Sequence, residues 1–327
     1  MRVFVTGASG FIGGAIARSL AAEHDVLAMS RSERSDAAIE ALGATPVRCD
    51  LASLGEDELP PHDATVHAAA WVEPWGTRND YWQANVDGTD RVLAAARHAG
   101  SKRFVHVSTE AVLWRGQHLR DVDETCPYPA STPFLYSETK AEAERRVLAA
   151  DAEGFTAIAL RPRFVWGPGD RTLAPELAEM TERGAFVWLD GGRAQTSTTH
   201  VANLVHAARL ALEHGRGGEA YFVTDGVTTD FRSFLPRMMA AYGVTLPDRS
   251  LPGWLVRPVA ATVEGAWRAL GLRSQPPLTR HAVALMCCDC TLRDDKARRE
   301  LGYAPVMDVE RGLAELAATQ AGERPQP

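Results

Sequence analysis

Short apolar runs alternate with amphipathic stretches along the first 160 residues of the chain. Apolar runs of this length are typical of buried strands, and apolar residues at three- and four-residue spacing are typical of helices. The pattern predicts strands at Arg2–Thr6, Asp25–Met29, Pro46–Cys49, Thr65–His67, Arg103–Ser108 and Phe155–Arg161, and helices at Phe11–Ala22, Tyr81–Ala99 and Ser137–Ala150. Strands that alternate with helices form crossover units, so we expect an α/β fold with an open, doubly wound parallel sheet.

The pattern becomes irregular after Pro162, where prolines and glycines are frequent. It predicts one short strand at Ala220–Thr224 and helices near Leu173–Arg183, Val201–His214, Phe231–Tyr242 and Leu255–Leu270. We therefore expect a first domain over residues 1–165, whose sheet also receives segments near 195–227. A smaller, mostly helical domain should cover residues 166–327, and the tail Gly322–Pro327 should be frayed.

Composition and charge exclude several classes of protein. Of 327 residues, 45% are hydrophobic and 24% are charged, as in ordinary globular proteins. A net charge of −7 argues against a nucleic-acid partner. No apolar run reaches the roughly 18 residues of a spanning helix. The amphipathic segment Leu251–Leu272 either lies on a membrane surface or covers a pocket or the core, and few lysines accompany it.

The five cysteines lack the spacing of a zinc site, so no metal is expected. They are Cys49, Cys126, Cys287, Cys288 and Cys290. The count is odd, and a strand that begins at Arg2 leaves no room for an export signal. Both observations favour a reducing, cytoplasmic location.

A glycine-rich turn, Thr6-Gly7-Ala8-Ser9-Gly10-Phe11-Ile12-Gly13, joins the first predicted strand to the first helix. Gly7 allows a tight turn, Gly10 lets backbone N–H groups approach a pyrophosphate, and Gly13 lets the helix pack close to the sheet. The helix N-terminus offers free N–H donors and the positive end of its dipole to an anion. The turn therefore predicts a dinucleotide site formed by Gly7, Ser9, Gly10, Phe11, Ile12 and Gly13.

The second predicted strand ends in Met29-Ser30-Arg31-Ser32, with no acidic residue directly at its tip. NAD-specific sites usually place an acid there to bind the ribose hydroxyls. The Arg31 guanidinium is suited to a 2′-phosphate through paired, charge-assisted hydrogen bonds. NADP is therefore the expected cofactor. NAD is the alternative, because an arginine that only stacks on adenine suits either dinucleotide.

Tyr136 and Lys140 are one helical turn apart and share one face of a predicted helix. A phenol is a poor base at neutral pH, and a neighbouring ammonium group lowers its pKa. Tyr136 is then able to exchange a proton with a carbonyl oxygen or an alcohol. Ser108 and Thr109 follow the strand that precedes this helix, where a hydroxyl faces the ligand crevice and stabilises charge on a substrate oxygen.

The glycine turn and the Tyr136–Lys140 pair resemble those of extended short-chain dehydrogenases/reductases, and the resemblance covers nearly the whole chain. It implies a Rossmann-type sheet and is nearest to 3β-hydroxysteroid dehydrogenase-like proteins. By this resemblance the catalytic residues are Thr109, Tyr136, Lys140 and Asn85. It also implies contacts to the cofactor from Asp50, Leu51, Ala68, Ala69, Ala70, Ser108, Tyr136, Lys140, Pro162, Phe164 and Val165, and a homodimer through the helices that start at Tyr81 and Tyr136.

Three functions remain open at this point. The favoured one is hydride transfer between a nicotinamide cofactor and a ketone or secondary alcohol of a bulky, largely apolar small molecule. Large aromatic residues near the predicted crevice support it: Trp71, Trp75, Tyr81, Trp82, Trp114 and Trp166. A nucleotide-sugar epimerase or dehydratase is an alternative, although Glu110-Ala111 supplies only one of the two acids of the dehydratases. A non-catalytic NADP-binding regulator is the third, although Thr109, Tyr136 and Lys140 are all present.

Overall fold

A computed structural model describes residues 1–323, and a parallel sheet of seven strands forms its centre. In chain order, the strands are β1 (Arg2–Thr6), β2 (Asp25–Ser30), β3 (Thr45–Arg48), β4 (Ala64–His67), β5 (Arg103–Val107), β6 (Leu119–Val122), β7 (Thr156–Pro162), β8 (Val165–Trp166), β9 (Trp188–Leu189), β10 (Gln195–Ser197), β11 (Thr199–His200), β12 (Glu219–Val223), β13 (Thr228–Asp230), β14 (Ser250–Leu251) and β15 (Cys290–Leu292). The central sheet has the order β12-β7-β5-β4-β1-β2-β3, which confirms the predicted doubly wound α/β fold.

Helices cover both faces of this sheet and form most of the second half of the chain. They are α1 (Phe11–Ala21), α2 (Glu33–Glu40), α3 (Arg78–Trp82), α4 (Gly88–His98), α5 (Leu135–Ala149), α6 (Leu173–Glu182), α7 (Val201–Glu213), α8 (Phe231–Ala241), α9 (Gly253–Ala269), α10 (Arg280–Cys287), α11 (Asp295–Leu301) and α12 (Val309–Glu323). A π-helical turn, Gln83–Asp87, joins α3 to α4, so the predicted helix Tyr81–Ala99 contains an irregularity that the sequence pattern does not indicate.

The chain reverses its direction of travel across the sheet next to β1. It moves outward from β1 through β2 to β3 and then returns to β4 on the other side of β1. Thr6 at the end of β1 pairs in register with His67 at the end of β4. Such a reversal opens a crevice at the carboxyl ends of the strands, where ligands bind in this class of fold.

Two apolar layers hold the sheet between its helices. One layer includes Ile16 and Leu20 of α1 and Leu204 of α7, all with no exposed surface. The opposite layer includes Val92 of α4 and Val147 of α5, which are also fully buried. The strands are therefore apolar on both faces, as parallel strands covered on both sides usually are.

A second, four-stranded sheet of order β13-β10-β15-β6 was not predicted. Its strands are three or four residues long and come from distant parts of the chain, including β6 from the first half. Conversely, β12 from the second half completes the central sheet beside β7. Each half of the chain therefore contributes one strand to the sheet formed mainly by the other half.

The end of the chain, the possibility of a membrane-spanning helix and the cysteines can each be compared with the predictions. Helix α12 continues to Glu323, so the predicted frayed tail is helical in its first two residues, and its other residues lie outside the described part. Within residues 1–323, no helix combines the length and apolarity needed to cross a membrane. The five cysteines are free thiols, and Cys290 lies in β15.

Candidate active site

The glycine turn after β1 forms a cradle that side chains would fill. Gly7 has φ +74°, and a Cβ built on it lies 2.9 Å from the carbonyl carbon of Ala68. A Cβ on Gly13 lies 2.3 Å from the carbonyl oxygen of Gly7, so α1 approaches the turn as closely as its backbone permits. Helix α1 begins at Phe11 without a side-chain cap, which leaves N–H groups available for an anion.

A buried hydrogen-bond chain holds this turn, and the sequence analysis did not find it. The Thr6 hydroxyl accepts hydrogen bonds from the amides of Ala68 (3.2 Å) and Ala69 (3.1 Å). It also contacts His67 Nδ1 at 2.7 Å, and His67 Nε2 lies 3.0 Å from the Thr89 hydroxyl. Burial lowers the pKa of His67 to about 3, so the ring is neutral and links β1, β4 and α4 without carrying charge.

An acidic side chain reaches the tip of β2, although none follows directly in sequence. Arg31 is exposed there, and Asp36 reaches back from α2 to contact Ser30 and Arg48. The Arg48 guanidinium holds the pKa of Asp36 below its usual value. The prediction that no acid lies at the β2 tip is therefore wrong in three dimensions. The acid that lies there, Asp36, is already paired with Arg48.

The segment after β3 packs against α4. The Asp50 carboxylate accepts a hydrogen bond from the amide of Ala52 at 2.9 Å. Leu51 fills the space beside Gly88, where a Cβ would lie 2.7 Å from Leu51 Cγ. This contact explains a glycine inside a helix, which normally costs about 1 kcal/mol relative to alanine. Ala70, like Ala68 and Ala69, lies partly exposed at the end of β4.

Asn85 connects the loop after β4 to the helix that carries Tyr136. Its side-chain amide donates to Thr139 at 3.1 Å and to the Trp71 carbonyl at 3.3 Å, and its oxygen accepts from the Trp71 amide at 2.6 Å. The residue is 2% exposed and lies in the π-helical turn. Such turns often accompany functional sites, because they redirect a side chain within a helix.

Lys140 points into the protein beneath the crevice. Its ammonium group donates to the Val107 carbonyl at 2.8 Å and lies 3.2 Å from His106 Nε2. Burial lowers the pKa of Lys140 to about 8. Burial and the charge of Lys140 likewise lower the pKa of His106 well below its usual value, so His106 is neutral.

The structure corrects the expected acidity of Tyr136. Its pKa is raised, first by burial and then by the negative charge of Glu110, while a hydrogen-bonding contact with Thr109 acts in the opposite direction. Lys140, whose ammonium group turns inward to the Val107 carbonyl, is not among the groups that shift it. The phenol therefore keeps its proton near neutral pH, which is the form that donates to a carbonyl oxygen.

A buried ion pair stands behind Thr109, and the sequence analysis did not assign it a role. The Thr109 hydroxyl donates to Glu110 at 2.8 Å, and Arg163 pairs with the same carboxylate. The side chains of Arg163 and Glu110 are 4% and 10% exposed. Arg163 also donates to the hydroxyl of Thr196 at 2.9 Å, which ties the site to β10.

The segment after β7 enters the crevice in an unusual backbone conformation. Pro162 ends β7, Val165 pairs with β11, and Phe164 between them has φ +46°. This region is rarely occupied by residues other than glycine, asparagine or aspartate. The Phe164 ring packs on Phe231, with ring centroids 5.6 Å apart, and this contact holds the conformation.

Two observations show that a dinucleotide fits this crevice. Ser9 and Gly10 of the glycine turn are exposed, and α1 begins beside them without a side-chain cap. The hydroxyl of Ser108, at the end of β5, is buried, and among the described residues it has no hydrogen-bond partner. A buried hydroxyl without a partner is costly, and a ligand group in the crevice would satisfy it.

A cleft of about 690 Å³ opens in front of Tyr136. Trp75, Tyr81 and Phe134 line it together with charged side chains, of which four are acidic and two basic: Glu73, Glu176, Glu179, Glu264, Arg171 and Arg268. The other aromatic residues expected near the crevice pack elsewhere. Trp166 and Trp114 are buried in the core, Trp71 packs edge-on against Tyr81, and Trp82 lies beneath the Arg78 guanidinium.

Comparison with known proteins identifies the family of the chain. A model of the NAD-dependent epimerase/dehydratase family matches residues 3–224. The chain is 43% identical, over 100% of its length and 99% of the relative's, to the 4-hydroxy-2-methyl-3-oxo-4-farnesyl-3,4-dihydroquinoline-1-oxide ketoreductase of Stigmatella aurantiaca. It is 36% identical to a 2-alkyl-3-oxoalkanoate reductase of Stenotrophomonas maltophilia, over 98% of this chain and 100% of that protein.

Two further similarities bear on the subfamily and on the fold. The chain is 32% identical to a 3β-hydroxysteroid dehydrogenase/Δ5→4-isomerase of Mycobacterium tuberculosis, over 96% of this chain and 89% of the relative. The structure of a UDP-glucuronic acid 4-epimerase from Bacillus cereus in complex with NAD matches with a TM-score of 0.74 and 19% identity, over 98% of this chain and 99% of that one. At this identity the second match shows the fold alone. The chain thus belongs to the NAD-dependent epimerase/dehydratase family, that is, to the extended short-chain dehydrogenases/reductases, and it is an oxidoreductase of the 3β-hydroxysteroid dehydrogenase-like type that uses a nicotinamide cofactor.

Proposed function

We propose that the protein transfers a hydride between a nicotinamide dinucleotide and the ketone or secondary alcohol of a long or bulky, largely apolar substrate. The observation that carries this proposal is the Tyr136 phenol at the wall of an aromatic-lined cleft that lies next to the dinucleotide crevice. The names of two relatives support the direction and the substrate class. One is named for a ketone with a farnesyl chain and the other for a 2-alkyl-3-oxoalkanoate, and both are reductases.

The bound cofactor supplies or accepts the hydride, and the residues of this chain handle the proton. Tyr136 donates its phenolic proton to the carbonyl oxygen as the alcohol forms, and it takes the proton back in oxidation. Thr109 binds the same oxygen, although its hydroxyl must first turn away from Glu110. Lys140 would hold the nicotinamide ribose, and it would favour the phenolate form once its ammonium group leaves the Val107 carbonyl.

The predicted cofactor contacts are proposed at the positions where the chain surrounds the crevice. The glycine turn with Ser9, Phe11 and Ile12 would hold the pyrophosphate, and Asp50 and Leu51 would bind the adenine. The backbone of Ala68–Ala70 would contact the ribose. Ser108 and the segment from Pro162 to Val165 would bind the nicotinamide and its carboxamide. The unpartnered Ser108 hydroxyl and the left-handed backbone of Phe164 support this assignment.

NADP is proposed over NAD, because Arg31 is exposed and Asp36, the acid that contacts Ser30 at the β2 tip, is already paired with Arg48. Replacement of Arg31 by Asp should lower the ratio of kcat/KM for NADPH to that for NADH by at least tenfold. The matched control is Arg18→Asp, which places the same charge change on an exposed position near the end of α1. An unchanged ratio in Arg31→Asp would show that this side chain does not bind the 2′-phosphate.

A nucleotide-sugar substrate is disfavoured by charge. The cleft carries two more carboxylates than guanidinium groups, which repels the multiple charges of a diphosphate more strongly than the single charge of a carboxylic acid. The decisive experiment is a panel of alkyl ketones, β-keto acids and 3-ketosteroids with NADPH or NADH, followed by absorbance at the nicotinamide band. Tyr136→Phe should abolish turnover and leave cofactor affinity unchanged. Turnover retained in Tyr136→Phe, or a UDP-sugar bound tightly after purification, would contradict the proposal.

The roles of the two domains, the association of two copies and the cellular location are also proposed. Residues 1–165 bind the dinucleotide and residues 166–327 contribute most of the substrate site. Two copies associate through the helices that include α4 and α5, which light scattering on the purified protein tests directly. A cytoplasmic location is supported by five free cysteines, because a reducing compartment preserves free thiols.

A further inference from the structure

Helix α9 presents an apolar face to the solvent. Trp254 is 73% exposed, Val259 53% and Leu270 70%, and Leu255 and Pro258 lie exposed on the same side. These positions follow helical spacing, so they form one continuous surface rather than scattered exposed residues. Large exposed apolar surfaces on a folded chain mark contacts with another apolar phase or a partner.

The opposite face of α9 carries a charge into the protein. Glu264 is 6% exposed, accepts a hydrogen bond from the Arg280 amide at 2.9 Å, and pairs with the Arg280 guanidinium at 2.9 Å. A helix that packs on a water-soluble core normally places its apolar residues inward and its charges outward. In α9 the inward side is otherwise apolar, with Ala260 buried and Val256 packed beside it, so the helix is apolar on two sides, which water alone does not favour.

The segment that contains the exposed apolar face is rich in arginine. Between residues 249 and 273 the chain carries four arginines, Arg249, Arg257, Arg268 and Arg273, and a single acid, the buried Glu264. All four arginines are exposed. A local net charge of this sign on a chain with a net charge of −7 is complementary to an anionic surface. It is also unsuited to binding a second copy of the same surface, because like charges would meet.

The same helix borders the cleft in front of Tyr136. Glu264 and Arg268 line that cleft, and the Arg268 guanidinium lies 4.7 Å from the centre of the Trp75 ring. The Trp75 indole N–H donates to the carbonyl of Leu272, just after the helix, at 3.0 Å. The exposed apolar face and the cleft mouth are therefore joined through a few side chains.

We propose that α9 and the following residues to Leu272 seat the protein on the surface of a membrane that contains anionic lipids. Trp254, Leu255 and Val259 enter the interface between headgroups and acyl chains, and the arginines of this segment lie among the headgroups. The helix lies along the membrane plane and does not span it, as its 17 residues are too few and the described chain has no spanning helix. In this position the cleft opens at the lipid boundary. The proposal concerns the surface of the protein and holds whichever apolar substrate the cleft accepts.

The test is flotation of the full-length protein with extruded vesicles. Vesicles of phosphatidylcholine with a quarter phosphatidylglycerol should carry the protein upward, and vesicles of phosphatidylcholine alone should bind it at least tenfold more weakly. The variant Trp254→Ser/Leu255→Ser/Val259→Ser should lose at least tenfold in apparent affinity. These side chains are exposed, so circular dichroism and Tm should remain those of the parent.

The matched control is Val227→Ser/Val306→Ser, which removes two exposed apolar side chains elsewhere (53% and 45% exposed) and should bind vesicles like the parent. Protein that stays unbound at every lipid concentration would overturn the proposal, and so would equal binding by the triple variant. A parent that is dimeric and a triple variant that is monomeric in light scattering would also overturn it, since the face would then belong to a second copy. Because these readouts do not involve turnover, they are independent of the proposed reaction.

Discussion

The ion pair between Glu110 and Arg163 should be strongly coupled, and removal of one partner should be far more damaging than removal of both. The side chains are 10% and 4% exposed, so neither charge has water to replace its partner. Arg163→Met leaves the Glu110 carboxylate with only the Thr109 hydroxyl as a donor among the described residues, and Glu110→Leu leaves the guanidinium with only Thr196.

The magnitude follows from the burial. Loss of one partner of a buried ion pair costs about 3–5 kcal/mol of unfolding free energy, because an uncompensated charge remains in the interior. For a chain of 327 residues this corresponds to a decrease in Tm of roughly 6–10 °C, at about 2 °C per kcal/mol. The double variant Glu110→Leu/Arg163→Met removes both charges and should lie within about 1 kcal/mol of the parent, since apolar side chains of similar volume often replace such pairs without loss.

Urea unfolding of the parent, the two single variants and the double variant measures the coupling energy as a double-mutant cycle. The expected coupling is about 3 kcal/mol or more. The comparison variant is Arg183→Met, whose side chain is 73% exposed and pairs with Glu179 at the surface. It should cost less than about 1 kcal/mol, because exposed pairs contribute little.

Single variants that each cost less than about 1 kcal/mol would refute strong coupling between Glu110 and Arg163. So would a double variant whose loss of unfolding free energy equals the sum of the two single losses. Either result would mean that solvent or another group compensates the charges. Confirmation would have a consequence for the reaction. With Glu110 absent, the Thr109 hydroxyl has no carboxylate to bind and is free to face the substrate oxygen.

Three further predictions concern charge, space and burial. Burial lowers the pKa of Lys140 to about 8, so kcat/KM for the cofactor should fall as pH rises through this value and the lysine loses its charge, and Lys140→Arg should remove that limb from the pH profile. Gly13→Ala places a methyl group 2.3 Å from the backbone of the glycine turn and should raise the cofactor Kd at least tenfold by titration calorimetry, whereas Gly322→Ala, where the methyl group meets open space, should leave the Kd unchanged. Arg161→Met leaves the fully buried Glu144 without its guanidinium and should cost about 3–5 kcal/mol in urea unfolding, a value that a cost below about 1 kcal/mol would contradict.

The central sheet was predictable because its strands are apolar and regularly separated. The predicted and observed bounds of β1 are identical, and those of β7 differ by one residue at each end. Helix α2 was missed because only Ile39 of its eight residues is buried, so its sequence has no apolar periodicity. What starts this helix is the capping box of Ser32 and Ser35, a local signal that is independent of burial.

The site was predictable where spacing along the chain determines it and not where contacts across the fold do. The separation of Tyr136 and Lys140 correctly placed both on one helix, but it does not determine where a long side chain ends. Lys140 turns inward to Val107, and the Tyr136 pKa is raised rather than lowered as expected. Glu110 and Arg163 are 53 residues apart in sequence, and no spacing pattern indicates their pairing.

The exchange of β6 and β12 between the two sheets limits the domain motions of this enzyme and the fragments of it that can fold. Strand β6 lies beside β15 in the small sheet, and β12 closes the large sheet beside β7. A fragment that stops near residue 165 would expose the apolar edge of β7 and leave β6 without a neighbouring strand. Such unpaired strand edges promote aggregation. Each half of the chain contributes a strand to the sheet of the other half, so the halves have no hinge between them. Opening and closing around a substrate must therefore come from loops and single helices.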